Sequence, residues 1–288
     1  MLNASLHKEI DTAHGKIELS VDFALKKGAV TSIYGDSGVG KTMILRMLAG
    51  LTTPDGGTVK LNDIYWFGGP TRSNLSLEKR KVGFVFQDYG LFPNMSIEEN
   101  LKFAVAKGEE SFIQTYMDAF GLTVLKNRRP GQLSGGQKQR TAIARALICK
   151  PKVLLLDEPF TAQDKQMSAV VGQQIKQFTK EQHCVTVLVT HDIAATLKMS
   201  SYIYEIRNGS IAQEGTFEEV FLGGSQNERQ GLHGIIADKQ GKDGREWVFV
   251  LVNEQILEIK LNGEVLEIGD EVYLQVEQES GRVSLKKL

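Results

Sequence analysis

The chain has 288 residues, enough for one large domain and a small one, or for two domains of middling size. Its 34 Lys and Arg balance 35 Asp and Glu without a long run of either sign, which argues against a nucleic-acid-binding surface. Unbroken apolar runs stop at six residues, against the ~20 of a membrane-spanning helix, and the first residues lack a secretory signal pattern. If membranes are involved, we expect another chain to span them.

Short strand patterns alternate with amphipathic helical patterns from residue 1 to about 224, which predicts a layered α/β domain. Four apolar segments are predicted strands of a parallel sheet covered on both faces: AVTSIYG, VGFVFQ, VLLLD and VTVLVTH. The segment KTMILRMLAG predicts a helix that ends at Gly50. A later helix carries an apolar stripe formed by Met167, Val170, Val171, Ile175 and Phe178.

Residues 96–129 carry helical patterns without a strand pattern, and SIEE predicts a capping box at the first of these helices. We therefore expect a helical subdomain over about 88–132, inserted into the sheet domain. A polar linker over 225–231 then leads to strand-like segments in residues 232–288: REWVFVLV, QILEIKL and EVYLQVEQESGRVSL. Because so small a β module can bury only a thin apolar core, we expect it to pack on the main domain or on a second copy of itself.

The two cysteines, Cys149 and Cys184, lie far apart in apolar stretches. This placement favours buried, reduced thiols over a disulfide or a metal pair. We therefore expect the chain to reside in a reducing compartment.

A glycine-rich loop follows the first predicted sheet strand and opens a helix. Its sequence GDSGVGKT fits the phosphate-loop pattern G-x-x-x-x-G-K-[ST] and comprises Gly35, Asp36, Ser37, Gly38, Val39, Gly40, Lys41 and Thr42. Backbone N–H groups of such a loop surround nucleotide phosphates. Lys41 would reach the β- and γ-phosphates and the Thr42 hydroxyl would bind Mg²⁺. The alternative is a glycine-rich strand-to-helix turn with an incidental lysine.

Polar side chains are predicted at the carboxyl ends of the other sheet strands. VLLLDEP places Asp157 where it can bind Mg²⁺, and Glu158 one residue further, where it can take a proton from water. Gln87 ends VGFVFQ and His191 ends VTVLVTH. Because ligands of open α/β sheets bind at this edge, the four residues together indicate a γ-phosphate site. Any one of them alone is more often structural.

A second glycine-containing segment, LSGGQ, precedes a predicted helix and comprises Leu133, Ser134, Gly135, Gly136 and Gln137. The order of phosphate loop, Gln87, LSGGQ, LLLDEP, Asp164 and His191 resembles the ATP-binding-cassette (ABC) ATPases over residues 1 to about 222. The resemblance implies an ABC-type phosphate-loop NTPase fold in which two cassettes face head to tail. Each ATP then lies between the phosphate loop of one copy and the LSGGQ of the other.

The resemblance also implies a role for each matched residue. Ser134, Gly135 and Gly136 would bind the γ-phosphate that is held by Lys41 of the second copy. Glu158 would be the general base, His191 would contact the γ-phosphate, and Asp164 would belong to the loop after the carboxylate pair. Gln87 would sense Mg²⁺ and water, so that Thr42, Gln87 and Asp157 form the metal set. The implied ligands are ATP and Mg²⁺.

Three positions depart from the family pattern. The segment TAHGK offers only His14 where the family usually has an aromatic residue stacked on adenine. Met43 replaces a usual hydroxyl residue, and Gln163 precedes Asp164 where leucine is commoner. Lys41, Asp157 and Glu158 are all retained, so we expect ATPase activity.

The chain has one cassette, and EKRKVGFVFQDYGLFPNMSIEENL resembles importers of molybdate, sulfate, ferric ion, sugars and polyamines. In ERQGLHGII, the residues Arg229, Leu232 and Gly234 partly match the opening of the molybdate-binding Mop/TOBE module, an OB-like β-barrel. The resemblance therefore implies a homodimeric ATPase subunit of a molybdate importer on the cytoplasmic side of the inner membrane. Its partners would be permease subunits and, indirectly, a substrate-binding protein.

Alternatives remain at this level. The C-terminal module either binds molybdate or tungstate or only dimerises the ATPase. For the importer, the alternative to molybdate is another substrate such as tungstate, sulfate, ferric ion, polyamine or sugar. A soluble cassette ATPase acting on ribosomes or DNA is disfavoured. Such families usually have two cassettes in one chain or a coiled-coil insertion, and basic surfaces, so we expect no nucleic-acid partner.

Overall fold

The computed structural model describes residues 1–12, 15–106, 108–161, 165–221, 233–242, 245–252, 255–261, 265–276 and 283–287. These residues divide into two compact units, Met1–His191 with Met199–Ala212 and Asp192–Lys198 with Gln213–Leu288. Among the residues that the structure describes, no helix combines the length and the apolar composition needed to cross a membrane.

Eleven strands form one sheet in the described part of the chain up to residue 221. In chain order they are β1 (Leu2–Thr12), β2 (Gly15–Leu25), β3 (Ala29–Tyr34), β4 (Gly56–Leu61), β5 (Ile64–Gly68), β6 (Ser73–Asn74), β7 (Val82–Val85), β8 (Val153–Asp157), β9 (Val185–Thr190), β10 (Tyr202–Arg207) and β11 (Ser210–Gly215). Their order across the sheet is β6-β5-β4-β1-β2-β11-β10-β3-β9-β8-β7.

The helices between these strands are α1 (Lys41–Ala49), α2 (Leu77–Arg80), α3 (Ile97–Ala104), α4 (Phe112–Ala119), α5 (Gly135–Ile148), α6 (Lys165–Glu181), α7 (Ile193–Met199) and α8 (Phe217–Phe221). Short 3₁₀ turns lie at Thr123–Leu125 and Pro130–Gln132. The α1 helix ends where predicted, because Gly50 takes the left-handed conformation and its N–H bonds the carbonyls of Arg46 and Met47.

The sheet is mixed rather than wholly parallel. Strands β10, β3, β9, β8 and β7 pair in parallel, as the apolar segments predict. Strands β2, β1, β4, β5 and β6 pair antiparallel and form one half of the sheet. This antiparallel half was not predicted, because β1 and β2 alternate buried and exposed residues along much of their length and so lack the continuous apolar run of a central parallel strand.

Strand β8 shows why the parallel segments are so apolar. All five of its residues are buried. Val153 and Leu155 pack in the apolar cluster that contains α1, whereas Leu154 and Leu156 pack in the cluster that contains α5 and α6. Because successive side chains point to opposite faces, a strand covered by helices on both sides must be apolar throughout.

Helices α3, α4 and α5 lie between β7 and β8, and the first two fall in the range of the expected helical subdomain. Ser96 and Glu99 form the capping box at the start of α3, with the Ser96 N–H donating to Glu99 Oε2 at 2.6 Å. Buried side chains of α3, α4 and α5 share one apolar cluster, which includes Leu101, Met117 and Ile143. The insertion therefore packs on the helix that carries LSGGQ.

Two side chains differ from their predicted burial. Val171, Ile175 and Phe178 are buried as the α6 stripe predicts, but Val170 is 44% exposed. Val170 lies one residue before Val171, about 100° around the helix, so it falls outside the buried face. The predicted apolar stripe therefore included one residue too many. Cys184 is buried, whereas Cys149 is exposed at the C-terminal end of α5. Burial raises the pKa of the Cys184 thiol to about 11.

Arg80 is the largest side chain among those almost fully buried in the described residues. Its guanidinium donates to the carbonyl oxygens of Leu75 (3.0 Å) and Trp66 (3.1 Å). It also donates to Met47 (3.3 Å) and Leu48 (3.1 Å), in the last turn of α1. A cation at a helix C-terminus is stabilised by the helix dipole, and here it adds donors to the carbonyl oxygens of the last turn. Arg80 thus fixes the far end of the phosphate-loop helix.

We expect Arg80→Met to lower the free energy of unfolding by roughly 2–4 kcal/mol, because buried carbonyl oxygens lose a charged donor. Urea unfolding followed by circular dichroism measures this. The matched control is Lys79→Met, at an exposed position of the same helix, for which we expect a change within about 0.5 kcal/mol. Equal unfolding midpoints for the two variants would contradict the assignment.

The second unit contains, among its described residues, a five-stranded sheet. Its strands are β12 (His233–Lys242), β13 (Arg245–Val252), β14 (Gln255–Lys260), β15 (Glu271–Val276) and β16 (Val283–Lys287), in the order β14-β13-β12-β15-β16, and every pair is antiparallel. The predicted segment REWVFVLV is β13 to the residue. This sheet is consistent with the expected small barrel-like module.

Candidate active site

The predicted edge of the sheet is formed because the parallel strands end in step. Tyr34 at the end of β3 lies opposite Thr190 of β9, and Asp157 at the end of β8 lies opposite Val189. The segments that follow these strands therefore start side by side. They are the phosphate loop after β3, Glu158 after β8 and His191 after β9.

The phosphate loop has a backbone that favours glycine at three of its positions. Gly35, Gly38 and Gly40 have φ angles of 154°, 87° and 99°. A Cβ on Gly35 would collide with the carbonyl oxygen of Ile206 in the neighbouring strand. Gly40 is the N-cap of α1 and provides no side-chain cap. The N–H groups of the first helical turn are consequently left for an anion, where the helix dipole adds positive potential.

Lys41 lies inside this loop and is 6% exposed. Its Nζ donates to the carbonyl oxygens of Gly35 at 2.7 Å and Asp36 at 2.6 Å. Burial lowers the pKa of the lysine, and the charges of Glu158, Asp36 and Asp157 oppose that shift. The ammonium group is thus held within the loop by two of its carbonyl oxygens, so that an anion bound there would meet a positive charge.

Thr42 and Asp157 bring two hard oxygen donors together. Thr42 Oγ1 donates to Asp157 Oδ1 at 3.0 Å, and Asp157 is 3% exposed. Burial raises the pKa of the Asp157 carboxyl, and the hydrogen bond from Thr42 opposes the shift. A divalent cation would offset this desolvation and favour the carboxylate form. A hydroxyl and a buried carboxylate in contact therefore fit Mg²⁺, which binds few protein oxygens and keeps waters and phosphates as its other ligands.

Glu158 has a backbone that is held in the left-handed region, with φ of 48°. Its N–H donates to Val189 O at 3.0 Å. Its carbonyl accepts from Gln139 Nε2 at 3.1 Å and from Thr161 Oγ1 at 3.2 Å. A non-glycine residue with positive φ is strained, and such strain persists only where surrounding contacts hold it. Here hydrogen bonds hold the residue on both sides.

The Glu158 carboxylate has polar contacts at both oxygens. Its Oε1 lies 2.7 Å from His191 Nδ1, and its Oε2 accepts from Thr190 Oγ1 at 3.3 Å. The carboxylate side chain is 12% exposed and the imidazole 49%. The structure thus brings together Lys41, Thr42, Asp157, Glu158 and His191, as the sequence predicts. Thr190 was not predicted, although its place before His191 at the end of β9 could have indicated it.

Gln87 does not end a strand as predicted. Strand β7 stops at Val85, and Gln87 lies exposed in the turn that follows. The turn departs from the strand because Tyr89 and Gly90 both have positive φ angles. Arg145 of α5 holds this departure, since its guanidinium donates to Gly90 O at 2.8 Å.

The LSGGQ segment forms the start of α5. Ser134 is the N-cap, with its Oγ accepting from the Gln137 N–H at 3.3 Å, while Gln137 Oε1 accepts from the Ser134 N–H at 3.0 Å. Gly135 and Gly136 make the first turn, and Leu133 is buried at its base. The segment therefore presents a helix N-terminus without bulky side chains, a second place suited to an anion.

Several predicted residues lie outside the described parts of the chain: His14, Gln163, Asp164, Arg229 and Leu232. Gly234 is described and lies in β12. A Cβ there would collide with side-chain atoms of Val250 and Val252, so close packing accounts for this glycine.

The site combines a phosphate loop, the carboxylate pair of Asp157 and Glu158, and a second helix N-terminus that begins with glycines. Placed on a mixed α/β sheet with helices between β7 and β8, these features define the phosphate-loop class with the ABC architecture. The family model described as "ABC transporter" matches residues 19–161. The chain belongs to this family.

Three relatives illustrate the similarity. The "Molybdenum import ATP-binding protein ModC" of Rhodospirillum rubrum is 38% identical over 72% of this chain, and the match spans 56% of that protein. The "Probable sulfate/thiosulfate import ATP-binding protein CysA" of Chlorella vulgaris is 37% identical over 69% of this chain and 85% of that protein. A solved dimeric ATP-binding cassette in a post-hydrolysis state with ADP and phosphate has a TM-score of 0.66, with 30% identity, covering 75% of this chain and 99% of that one.

Proposed function

We propose that this chain is the ATP-hydrolysing subunit of an ABC importer for molybdate. The observation that carries the ATPase proposal is the Glu158 carboxylate, held by His191 and Thr190 beside the Thr42–Asp157 pair. The reaction is phosphoryl transfer from ATP to water, in which positioning and charge stabilisation are the main catalytic contributions.

Each polar residue at the carboxyl ends of the parallel strands has a role in this mechanism. The loop N–H groups and Lys41 bind the phosphates, and Thr42, Asp157 and Gln87 would hold Mg²⁺. The metal, when bound, neutralises charge on the phosphate oxygens. The Glu158 carboxylate accepts a proton from the attacking water. His191 orients that carboxylate through the 2.7 Å contact and would contact the γ-phosphate.

A second copy of the chain supplies the rest of the site. In the solved cassette that matches this chain, the protein is dimeric. In a head-to-tail homodimer, Ser134, Gly135 and Gly136 of one copy bind the γ-phosphate held by the other. The N-terminus of α5, whose first turn carries Gly135 and Gly136 in place of bulky side chains, supports this arrangement.

Permease subunits would dock on the helical subdomain, and a substrate-binding protein would act through them. Exposed aromatic side chains support such a docking surface there. Phe92 and Phe103 contact each other edge to face at 4.7 Å and are 36% and 64% exposed. Exposed apolar side chains in contact are typical of protein interfaces. The protein would then lie on the cytoplasmic side of the inner membrane.

Molybdate as the substrate is supported by the relative from R. rubrum, whose name states molybdenum import. Sulfate is the second candidate, because the C. vulgaris relative is named for sulfate and thiosulfate import at nearly equal identity. The C-terminal unit would bind molybdate or tungstate near Gly234, or serve dimerisation alone. Calorimetry of the whole chain with molybdate, tungstate and sulfate separates these two roles.

A gene deletion tests the substrate. We expect cells without this chain to take up molybdate at less than about a tenth of the normal rate at nanomolar supply, since uptake then depends on ATP-driven import. The wild-type gene should restore uptake and a Glu158→Gln gene should not. Normal molybdate uptake together with a new requirement for reduced sulfur would favour sulfate instead.

A further inference from the structure

Gln139 is a buried polar residue that the mechanism above does not use. It lies on α5, five residues after Ser134, and is 2% exposed. Its Nε2 donates to Glu158 O at 3.1 Å, while its Oε1 has no hydrogen-bond partner among the described residues. A buried acceptor without a partner costs free energy that an apolar side chain of equal length would not. Stability alone therefore does not account for a glutamine here.

The atom that Gln139 binds belongs to a strained residue. Glu158 has φ of 48°, and its carbonyl oxygen is held by only two described donors, Gln139 and Thr161. A shift of this carbonyl rotates the backbone that carries the carboxylate. Thr161 lies three residues from Glu158 in the same loop, whereas Gln139 is on a different element. Gln139 is thus the direct side-chain link between α5 and Glu158 among the described contacts.

The two ends of this link belong to different ATP sites in a head-to-tail dimer. The N-terminus of α5 faces the ATP held by the second copy, but Gln139 of that same helix holds Glu158, which acts on the ATP of its own chain. Five residues of helix span about 7 Å, so a displacement of the helix start is carried to Gln139 with little bending. Further along the helix, Arg145 holds Gly90 in the turn after Gln87.

We propose that Gln139 is a positioning residue that couples the two ATP sites of the dimer. This inference rests on the proposed ATPase function. ATP bound at the Ser134 end of α5 would set the position of Gln139 and, through it, of the Glu158 carbonyl, so that each site hydrolyses ATP faster when the other is filled. The consequence is cooperative hydrolysis.

The test is Gln139→Met in the full chain, because methionine keeps the length of the side chain and removes the donor. We expect ATP affinity, measured with a fluorescent ATP analogue, to stay within about twofold and kcat to fall about tenfold, the loss that one hydrogen bond corresponds to. The Hill coefficient for ATP should fall from above 1 towards 1. The melting temperature should be unchanged or higher, because the unpaired oxygen is gone; a merely structural glutamine would lower it.

Thr161→Val is the matched control, since it removes the other donor to the same carbonyl without touching α5. We expect it to keep the wild-type Hill coefficient. An unchanged Hill coefficient in Gln139→Met, or an equal loss in both variants, would overturn the coupling role while leaving the ATPase proposal intact. A wild-type chain that hydrolyses no ATP would overturn both.

Discussion

Glu158→Gln should lower the rate of ATP hydrolysis by about 10³-fold while ATP still binds, because a positioned general base contributes roughly 10²–10⁴-fold. The amide has the shape of the carboxylate and can still bond Thr190 and His191, so the geometry of the edge is kept. Lys41, Thr42 and Asp157 are untouched, which preserves the contacts to phosphate and Mg²⁺. Steady-state phosphate release and equilibrium binding of a fluorescent ATP analogue measure the two effects.

The same variant should hold the dimer closed. With hydrolysis blocked, ATP remains between the copies, and size-exclusion chromatography with Mg-ATP should show a dimer that wild type forms only transiently. Thr190→Val serves as the control, because it removes only the longer 3.3 Å contact to the carboxylate, and we expect a loss of about tenfold at most. Near-normal turnover in Glu158→Gln would remove this residue as the base.

Features that depend only on residues close together in the chain could be predicted from the sequence. The phosphate loop, the stop at Gly50 and the capping box at Ser96 each depend on φ angles or hydrogen bonds within a few residues. Asp157 and His191 could be placed together because parallel strands end at the same edge. The structure confirms the helix end at Gly50 and the capping box at Ser96, and it brings Glu158 and His191 together at one edge. The nucleotide-binding roles of these residues stay predictions.

The contacts of Glu158 with α5 could not be predicted, because they join residues far apart in sequence. Its left-handed backbone leaves no pattern in DEP, and Gln139 contacts it across 19 positions. One signal was available: Gln139 lies on the same helical stripe as the buried Ala142, Ile143 and Ala146. A glutamine within an apolar stripe indicates a buried partner.

The predicted end of the strand at Gln87 was wrong for a related reason. VGFVFQ has the apolar character of a strand to its last residues, but the chain turns after Val85. The turn is held from outside the segment, by the Arg145 guanidinium on the Gly90 carbonyl. Tertiary contacts of this kind override local strand preference.

Mixing two inactive chains should restore activity if the head-to-tail arrangement is right. Lys41→Ala removes the phosphate contact from a chain's own loop, and Ser134→Arg blocks the site that α5 offers to the other copy. Each homodimer has a lesion in both sites and should be at least about 10²-fold slower than wild type. A mixed dimer carries both lesions in one site and leaves the other intact. With random pairing of equal amounts, half of the dimers are mixed and each has one intact site, which gives about a quarter of the wild-type rate if the two sites act independently. If the damaged site cannot give the roughly tenfold acceleration that we propose for coupling through Gln139, the rate is about a fortieth of wild type, still above that of the homodimers.

The control mixes Lys41→Ala with the double variant Lys41→Ala/Ser134→Arg. Every chain in this mixture has a damaged phosphate loop, so the rate of ATP hydrolysis should stay at the level of the homodimers. The comparison separates two arrangements of the same residues. If each chain joined its own phosphate loop to its own LSGGQ, both mixtures would stay inactive, because every chain would carry a lesion in its only site. Restoration in the first mixture alone therefore requires that Ser134 of one copy completes the site at Lys41 of the other. Each helix N-terminus would then be one half of a shared site, which explains why LSGGQ has glycines suited to phosphate but no lysine of its own.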